Sequence, residues 1–149
     1  MLNTYYLTPD DSLNLIFRLC LALLIGSIIG MERQFKHKPA GLRTHMLVSF
    51  GAAVFIIIPL QIALAPTNPD ALSRVIQGVA TGVGFLGAGE IARQSSQESQ
   101  RIKIHGLTSA ASIWVSAGLG LAAGCGLWQL GLIGATLTFL VLNTFKKLE

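Results

Sequence analysis

Five apolar blocks dominate this chain: Leu13–Met31, Met46–Ala65, Val75–Ala92, Leu107–Ala123 and Leu127–Thr144, each 17 to 20 residues long. A helix needs roughly 20 mostly apolar residues to cross about 30 Å of hydrocarbon. A soluble bundle can hide one helix that is apolar all round. It cannot hide five, because something polar must face water. Composition agrees: 12% of residues are charged, about half the share of a soluble domain. The expected fold class is all-α, a polytopic membrane protein of about five transmembrane helices forming one membrane domain over residues 1–149. The first block is read as a permanent span rather than a signal peptide. It lacks a basic leading region, follows Asp10 and Asp11, and runs into "ERQFKHK" instead of a small-residue cleavage site.

The positions of the basic residues matter more than the net charge of +4. Arg33, Lys36, Lys38 and Arg43 fall between helices one and two. Arg93, Arg101 and Lys103 fall between three and four, and Lys146 and Lys147 follow five. All these lie on one side of a five-pass chain. Only Arg18 and Arg74 belong to the other side, with Asp10, Asp11 and Asp70. The positive-inside rule then places the N-terminus outside and the C-terminus in the cytoplasm. This pattern is a topology signal, and nucleic acid is not an expected partner; the lipid bilayer is.

Small residues recur at helical spacing in Gly26-x-x-x-Gly30 and Gly78-x-x-x-Gly82. Such spacing lets helix backbones approach where no hydrophobic effect drives them together. The stretch "GVGFLGAG" adds Gly84, Gly87 and Gly89. Each helical glycine costs up to about 1 kcal/mol against alanine in water, so a tight contact or a cavity is expected to repay it. The expected neighbour is helix one. "GMERQ" closes helix one and "GEIARQ" closes helix three, while "GLRT" and "GLTS" open helices two and four. This suggests a two-helix parallel repeat about an axis along the membrane normal.

Glu90 ends the glycine-rich helix and Glu32 occupies the matching end of helix one. A carboxylate near hydrocarbon must pair, snorkel or protonate. Arg33, Arg43 and Arg93 lie at a similar depth, as do His45 and His105. The alternatives are interfacial anchoring, an ion-pair network inside the bundle, and a functional site. In "KPAGLRTH", Pro39 stops helix one and Gly41 permits a turn before Arg43 and Thr44. Arginine at a helix N-terminus opposes the macrodipole, so Arg43 is expected to reach a carboxylate, a lipid phosphate or a partner. In "HGLTSA", Gly106 precedes Thr108 and Ser109, which can cap helix four. The three histidines form no close-spaced ligand pair, and Cys20 and Cys125 lie at different depths. No metal, cofactor or disulfide is expected. No Ser-His-Asp order, nucleotide loop or HExxH motif appears, so the chain is not read as an enzyme.

Together "GSIIGMERQ", "KPAGLRTHMLVSFGAAVF", "GVGFLGAGEIARQ" and "IHGLTSAASIWVSAGLGLAAG" resemble the MgtC/SapB family of bacterial inner-membrane proteins, from about Leu13 to Leu142. The resemblance implies a plasma-membrane protein of about five helices. In pathogenic members it implies survival inside macrophages and growth when magnesium is scarce. It also implies restraint of the rotary ATP synthase through its membrane sector. The family is not regarded as an established magnesium transporter. Its best-known members carry a soluble domain after the last helix, so only the membrane unit is expected to carry over. With it come Phe85 and the glycines of "GVGFLGAG", Glu90, and the stretch around Arg43. Two function classes follow. One is a regulatory protein that binds another membrane complex, with a homodimer as one form. The other is a component of a transporter or channel for a cation, proton or small solute.

Overall fold

A computed structural model describes residues 11–62, 70–95 and 106–144, and its described residues form five helices. These are α1 (Ser12–Phe35), α2 (Leu42–Gln61), α3 (Asp70–Ser95), α4 (Leu107–Gly124) and α5 (Trp128–Thr144). The first four are long and apolar enough to cross a membrane. The fifth has 17 residues and at 1.5 Å per residue reaches about 26 Å. The all-α polytopic class is therefore as expected. The helices differ from the apolar blocks at their ends. α1 runs on to Phe35 and α3 starts at Asp70, because polar residues continue a helix past the hydrocarbon at no penalty.

Local chemistry sets the ends. Asp11 caps α1, its carboxylate accepting from the Asn14 N–H at 3.1 Å. Two helices stop in the same double-bonded motif, in which a left-handed residue lets two later N–H groups turn back onto the last carbonyls. At the end of α1, His37 N–H donates to Gln34 O (3.0 Å) and Lys38 N–H to Arg33 O (2.9 Å). At the end of α4, Gly126 N–H donates to Ala123 O (3.0 Å) and Leu127 N–H to Ala122 O (2.9 Å). The left-handed residue is Gly126 in the second case but His37, with φ of 51°, in the first. The α4 turn folds α4 and α5 into a tight hairpin.

α4 is the hub and touches all four other helices. It can do so because its buried face is small: Ser109, Ser112, Ser116, Ala117, Gly120, Ala123 and Gly124. α1 and α2 pack most extensively on each other. One apolar cluster joins α2, α3 and α4 around Ile56, Val83, Ile113 and Leu121. A second joins α1, α2, α4 and α5 around Leu21, Ile25, Ala53, Ala123 and Ala135. α3 sits at the edge, packed on α4 and less on α2.

That placement corrects the expected partner of helix three: among the described residues the backbone of α3 does not pack against α1. The small residues of α1 serve α2 instead. A Cβ at Gly26 would lie 2.7 Å from Met46 Cα, and one at Gly30 would lie 2.8 Å from Leu42 Cα. The tightest approach is at Gly120 of α4, where a Cβ would overlap the Ser49 backbone of α2. On α3, a Cβ at Gly78, Gly82, Gly84 or Gly89 would meet nothing within 4 Å. Only Gly87 does close-packing work there, facing Ala110 of α4 at 3.3 Å. The expected tight contact through Gly82 and Gly89 is absent among the described residues.

Candidate functional site

The α1/α2/α4 core contains a seam of polar side chains. Asn14 and Arg18 lie one turn apart on α1, and His45 and Ser49 one turn apart on α2. Ser109, Ser112 and Ser116 follow one face of α4. Helical spacing of three and four aims each set inward. Buried polar groups without a partner are costly in hydrocarbon, and most members of the seam bond across helices.

Near one end, Arg18 is 1% exposed. Its Nη1 donates to Gly124 O at 2.9 Å and its Nε to Asn14 Oδ1 at 3.0 Å. It ties α1 to the start of the α4–α5 turn. Beside it, burial pushes the Cys125 thiol pKa up, while the Arg18 charge opposes that shift. One step along, Ser49 Oγ donates to Ala22 O at 2.7 Å. Ser116 Oγ is buried without a hydrogen bond among the described residues.

The other end is charged. His45 is fully buried. Its Nδ1 lies 2.8 Å from Gly41 O and its Nε2 3.0 Å from Ser112 Oγ. Ser112 Oγ also lies 2.8 Å from Ser109 O. Arg33 Nη2 donates to Ser109 Oγ at 2.8 Å. The buried Glu32 carboxylate pairs closely with Lys36 and lies 3.8 Å from Arg33 Nη1. Lys36 is the close partner of this carboxylate, and Arg33 adds charge from further away. Lys36 also donates to Asn143 Oδ1 (2.8 Å) and Leu142 O (3.1 Å) at the end of α5. The cluster thus links α1, α2, α4 and α5 at one depth.

The candidates from sequence fall into three places. Glu32 and Arg33 belong to the seam. Pro39, Gly41, Arg43 and Thr44 line a second feature with Gln34, an open cavity of about 420 Å³ at the start of α2. Gly41 has an extended φ of −99° rather than a left-handed turn. A Cβ there would meet Gln34 Oε1, the end of a flexible side chain that can turn aside. The third place is the outer face of α3, with Gly82, Gly84, Gly89 and the 80% exposed Phe85. Gly87 faces α4 instead.

Two expected arrangements do not form. Arg43 is exposed and joins neither Glu90 nor Glu32 among the described ion pairs. Glu90 pairs with Arg93 at 3.3 Å, one turn away on α3, and acts through space on the buried Arg33. The i,i+3 pair forms because the two residues share a face, while Arg43 points away from the bundle. Second, Thr108 and Ser109 do not cap α4. Gly106, with φ of 92°, is its cap without a side-chain bond. Thr108 is exposed, and Arg33 takes the Ser109 hydroxyl. His105 lies outside the described residues. Arg18, Lys36 and Ser49 were missed. Their signal was the four-residue spacing of Asn14–Arg18, Glu32–Lys36 and His45–Ser49.

An apolar multi-pass bundle with a charged seam at one end is an integral membrane protein whose polar groups are largely used inside itself. Comparison with known proteins makes this specific. The MgtC family model matches residues 19–149, and the chain belongs to the MgtC family. It is 49% identical to Protein SrpB of Synechococcus elongatus over 99% of this chain and 84% of that protein. It is 43% identical to the putative magnesium transporter YhiD of Escherichia coli, over 89% of this chain and 61% of that protein. It is 41% identical to Protein MgtC of Salmonella typhimurium, over 89% of this chain and 52% of that protein. No solved structure matches significantly.

Proposed function

We propose that this chain is a regulatory protein of the bacterial inner membrane that binds another membrane complex through α3. Its N-terminus lies outside and its C-terminus in the cytoplasm. The observation that carries this reading is the open face of α3. A Cβ at any of four glycines there would meet nothing within 4 Å among the described residues, so packing among those residues does not repay their helix cost. Beside them, Gly78, Gly82 and Val83 of α3 and Gly51, Ala52 and Phe55 of α2 line an apolar groove of about 630 Å³. A backbone stripped of side chains beside such a groove suits close approach by a transmembrane helix. The partner implied by the family resemblance is the membrane sector of the rotary ATP synthase, acting when magnesium is limiting. Glu90 and Arg93, at the end of the same helix, would set the register of docking.

Transport is the second reading, supported by the name that YhiD carries and by the buried Glu32. Against it, the seam is closed where Gly120 meets Ser49 and where Gly26 meets His45 O. Photo-crosslinkers at Gly82 and Phe85 in native membranes should capture a defined membrane protein, and Gly82→Leu should abolish capture while the protein still folds. Failure to capture any partner, with cation flux in proteoliposomes of purified protein, would replace docking by transport.

A further inference from the structure

We propose that His45 is a proton-operated switch, in which the ring takes up a proton at Nε2 as the Ser112 hydroxyl turns from Nε2 to the Ser109 carbonyl. The argument is a count of donors and acceptors. Gly41 O can only accept, and it lies 2.8 Å from Nδ1, so Nδ1 carries a hydrogen in every state of the ring. The variable atom is Nε2, 3.0 Å from Ser112 Oγ. That hydroxyl has one hydrogen and two acceptors in reach, Nε2 and Ser109 O at 2.8 Å. When it points to Nε2, the ring is neutral and accepts. When it points to Ser109 O, Nε2 must carry a hydrogen to make its own bond to Oγ, and the ring is an imidazolium. The charge of the ring and the rotor of Ser112 are therefore one variable. Ser109 O remains bonded along the helix in either state, so the rotation strands no buried group.

The surroundings turn that variable into a signal. Burial opposes a charge on the ring; α1 presents Glu32, which favours that charge, and Arg33, which opposes it. α4 presents Ser109 and Ser112, neither of which titrates. α3 presents Glu90, paired to Arg93, which acts on Arg33. On α2 itself Arg43 lies two residues away and is exposed. A charged ring adds a third cation to Arg33 and Lys36 around the Glu32 carboxylate. It competes for the charge that holds Lys36 between α1 and the end of α5. Proton uptake at the core of α2 thereby loosens the tie to α5 and alters the field at Glu90. This inference is independent of the docking proposed for α3.

The test is NMR of the full chain in lipid nanodiscs, with labelled imidazole nitrogens followed from about pH 8 to about pH 5, where histidine ordinarily titrates. His45→Gln identifies the His45 signals among the three histidines. The expected result is a neutral ring at the high end with Nδ1 protonated and Nε2 bare, and protonation of Nε2 on acidification. Ser112→Ala should lower the midpoint by about one pH unit, because the charged ring loses the stronger hydrogen bond. A proton on Nε2 of the neutral ring, or a ring whose charge does not change across the range, overturns the proposal. So does a midpoint unmoved by Ser112→Ala. The tautomer and titration of the unaltered protein decide the matter even where the Ser112 variant does not fold.

Discussion

A single methyl group at Gly120 should separate two helices that the same methyl at Gly82 would leave untouched. A Cβ on Gly120 would overlap Ser49 O and lie 2.8 Å from both Ser49 C and Ser49 Cα. All three atoms are backbone, so no rotamer change relieves the clash and α2 must move away from α4. Overpacking of this kind costs about 1–3 kcal/mol. The same shift strains the Ser49–Ala22 bond, worth about 1 kcal/mol. Alanine returns up to about 1 kcal/mol of helix propensity. Gly120→Ala should therefore lose about 2 kcal/mol. A Cβ on Gly82 meets nothing within 4 Å, so Gly82→Ala keeps only the propensity gain, up to about 1 kcal/mol. Reversible unfolding in mixed detergent and lipid micelles measures both. If Gly120→Ala is as stable as the parent, or Gly82→Ala falls as far, the packing described for α2, α3 and α4 is wrong.

Arg18→Met leaves Gly124 O without its donor and should cost about 2 kcal/mol in the same unfolding assay, as expected for a bond to a charged group. Asn14→Ala should cost less, since it removes the bond to Nε and the Nδ2 bond to Asp11, both only partly buried. His37 holds a left-handed φ of 51°, so His37→Gly should gain about 1 kcal/mol by relieving the Cβ crowding; no gain would mean that the turn is unstrained. Glu90→Gln breaks a pair whose Arg93 side is mostly exposed and should change stability by less than about 1 kcal/mol. It should nevertheless fail to restore growth under magnesium limitation in a strain lacking the gene. Full complementation would leave Glu90 as an anchor only. Because burial raises the Cys125 thiol pKa and Arg18 opposes the shift, Arg18→Met should slow Cys125 alkylation at neutral pH.

The helices were plain in the sequence because each apolar block is long enough to need no context. Which helix touches which was not. Gly26 and Gly82 stand in the same four-residue pattern, yet one lies against α2 and the other against nothing. A spacing motif states that a face can be approached closely and leaves open by what. The cluster at Glu32 and Arg33 was visible as charge at the end of a span. Its partner Ser109 was not, because it is an ordinary residue until α4 brings it to that depth, whereas Lys36 already stands four residues from Glu32 in the sequence. Arg18 counted only as a charge on the outer side, because a lone arginine near a span's end is usually snorkelled. The Gly124 carbonyl that receives it is supplied by a turn more than a hundred residues away.

These contacts divide the molecule into a closed part and an open one. α1, α2 and α4 are held by backbone approaches too tight for a methyl group, and by hydrogen bonds from Arg18, Arg33, His45 and Ser49 that cross between helices. Such a body resists hinging, because each crossing bond strands a polar group when it parts. α3 is different. Val83 and Gly87 are its buried residues among those described, and Glu90 pairs with Arg93 one turn along the same helix. Much of the surface that α3 presents is apolar and exposed, and lipid or another helix can cover it. A rigid body with one loosely held, glycine-faced helix suits a protein that exchanges partners at that helix. It suits a conduit poorly, since the polar residues lie in the part that cannot open.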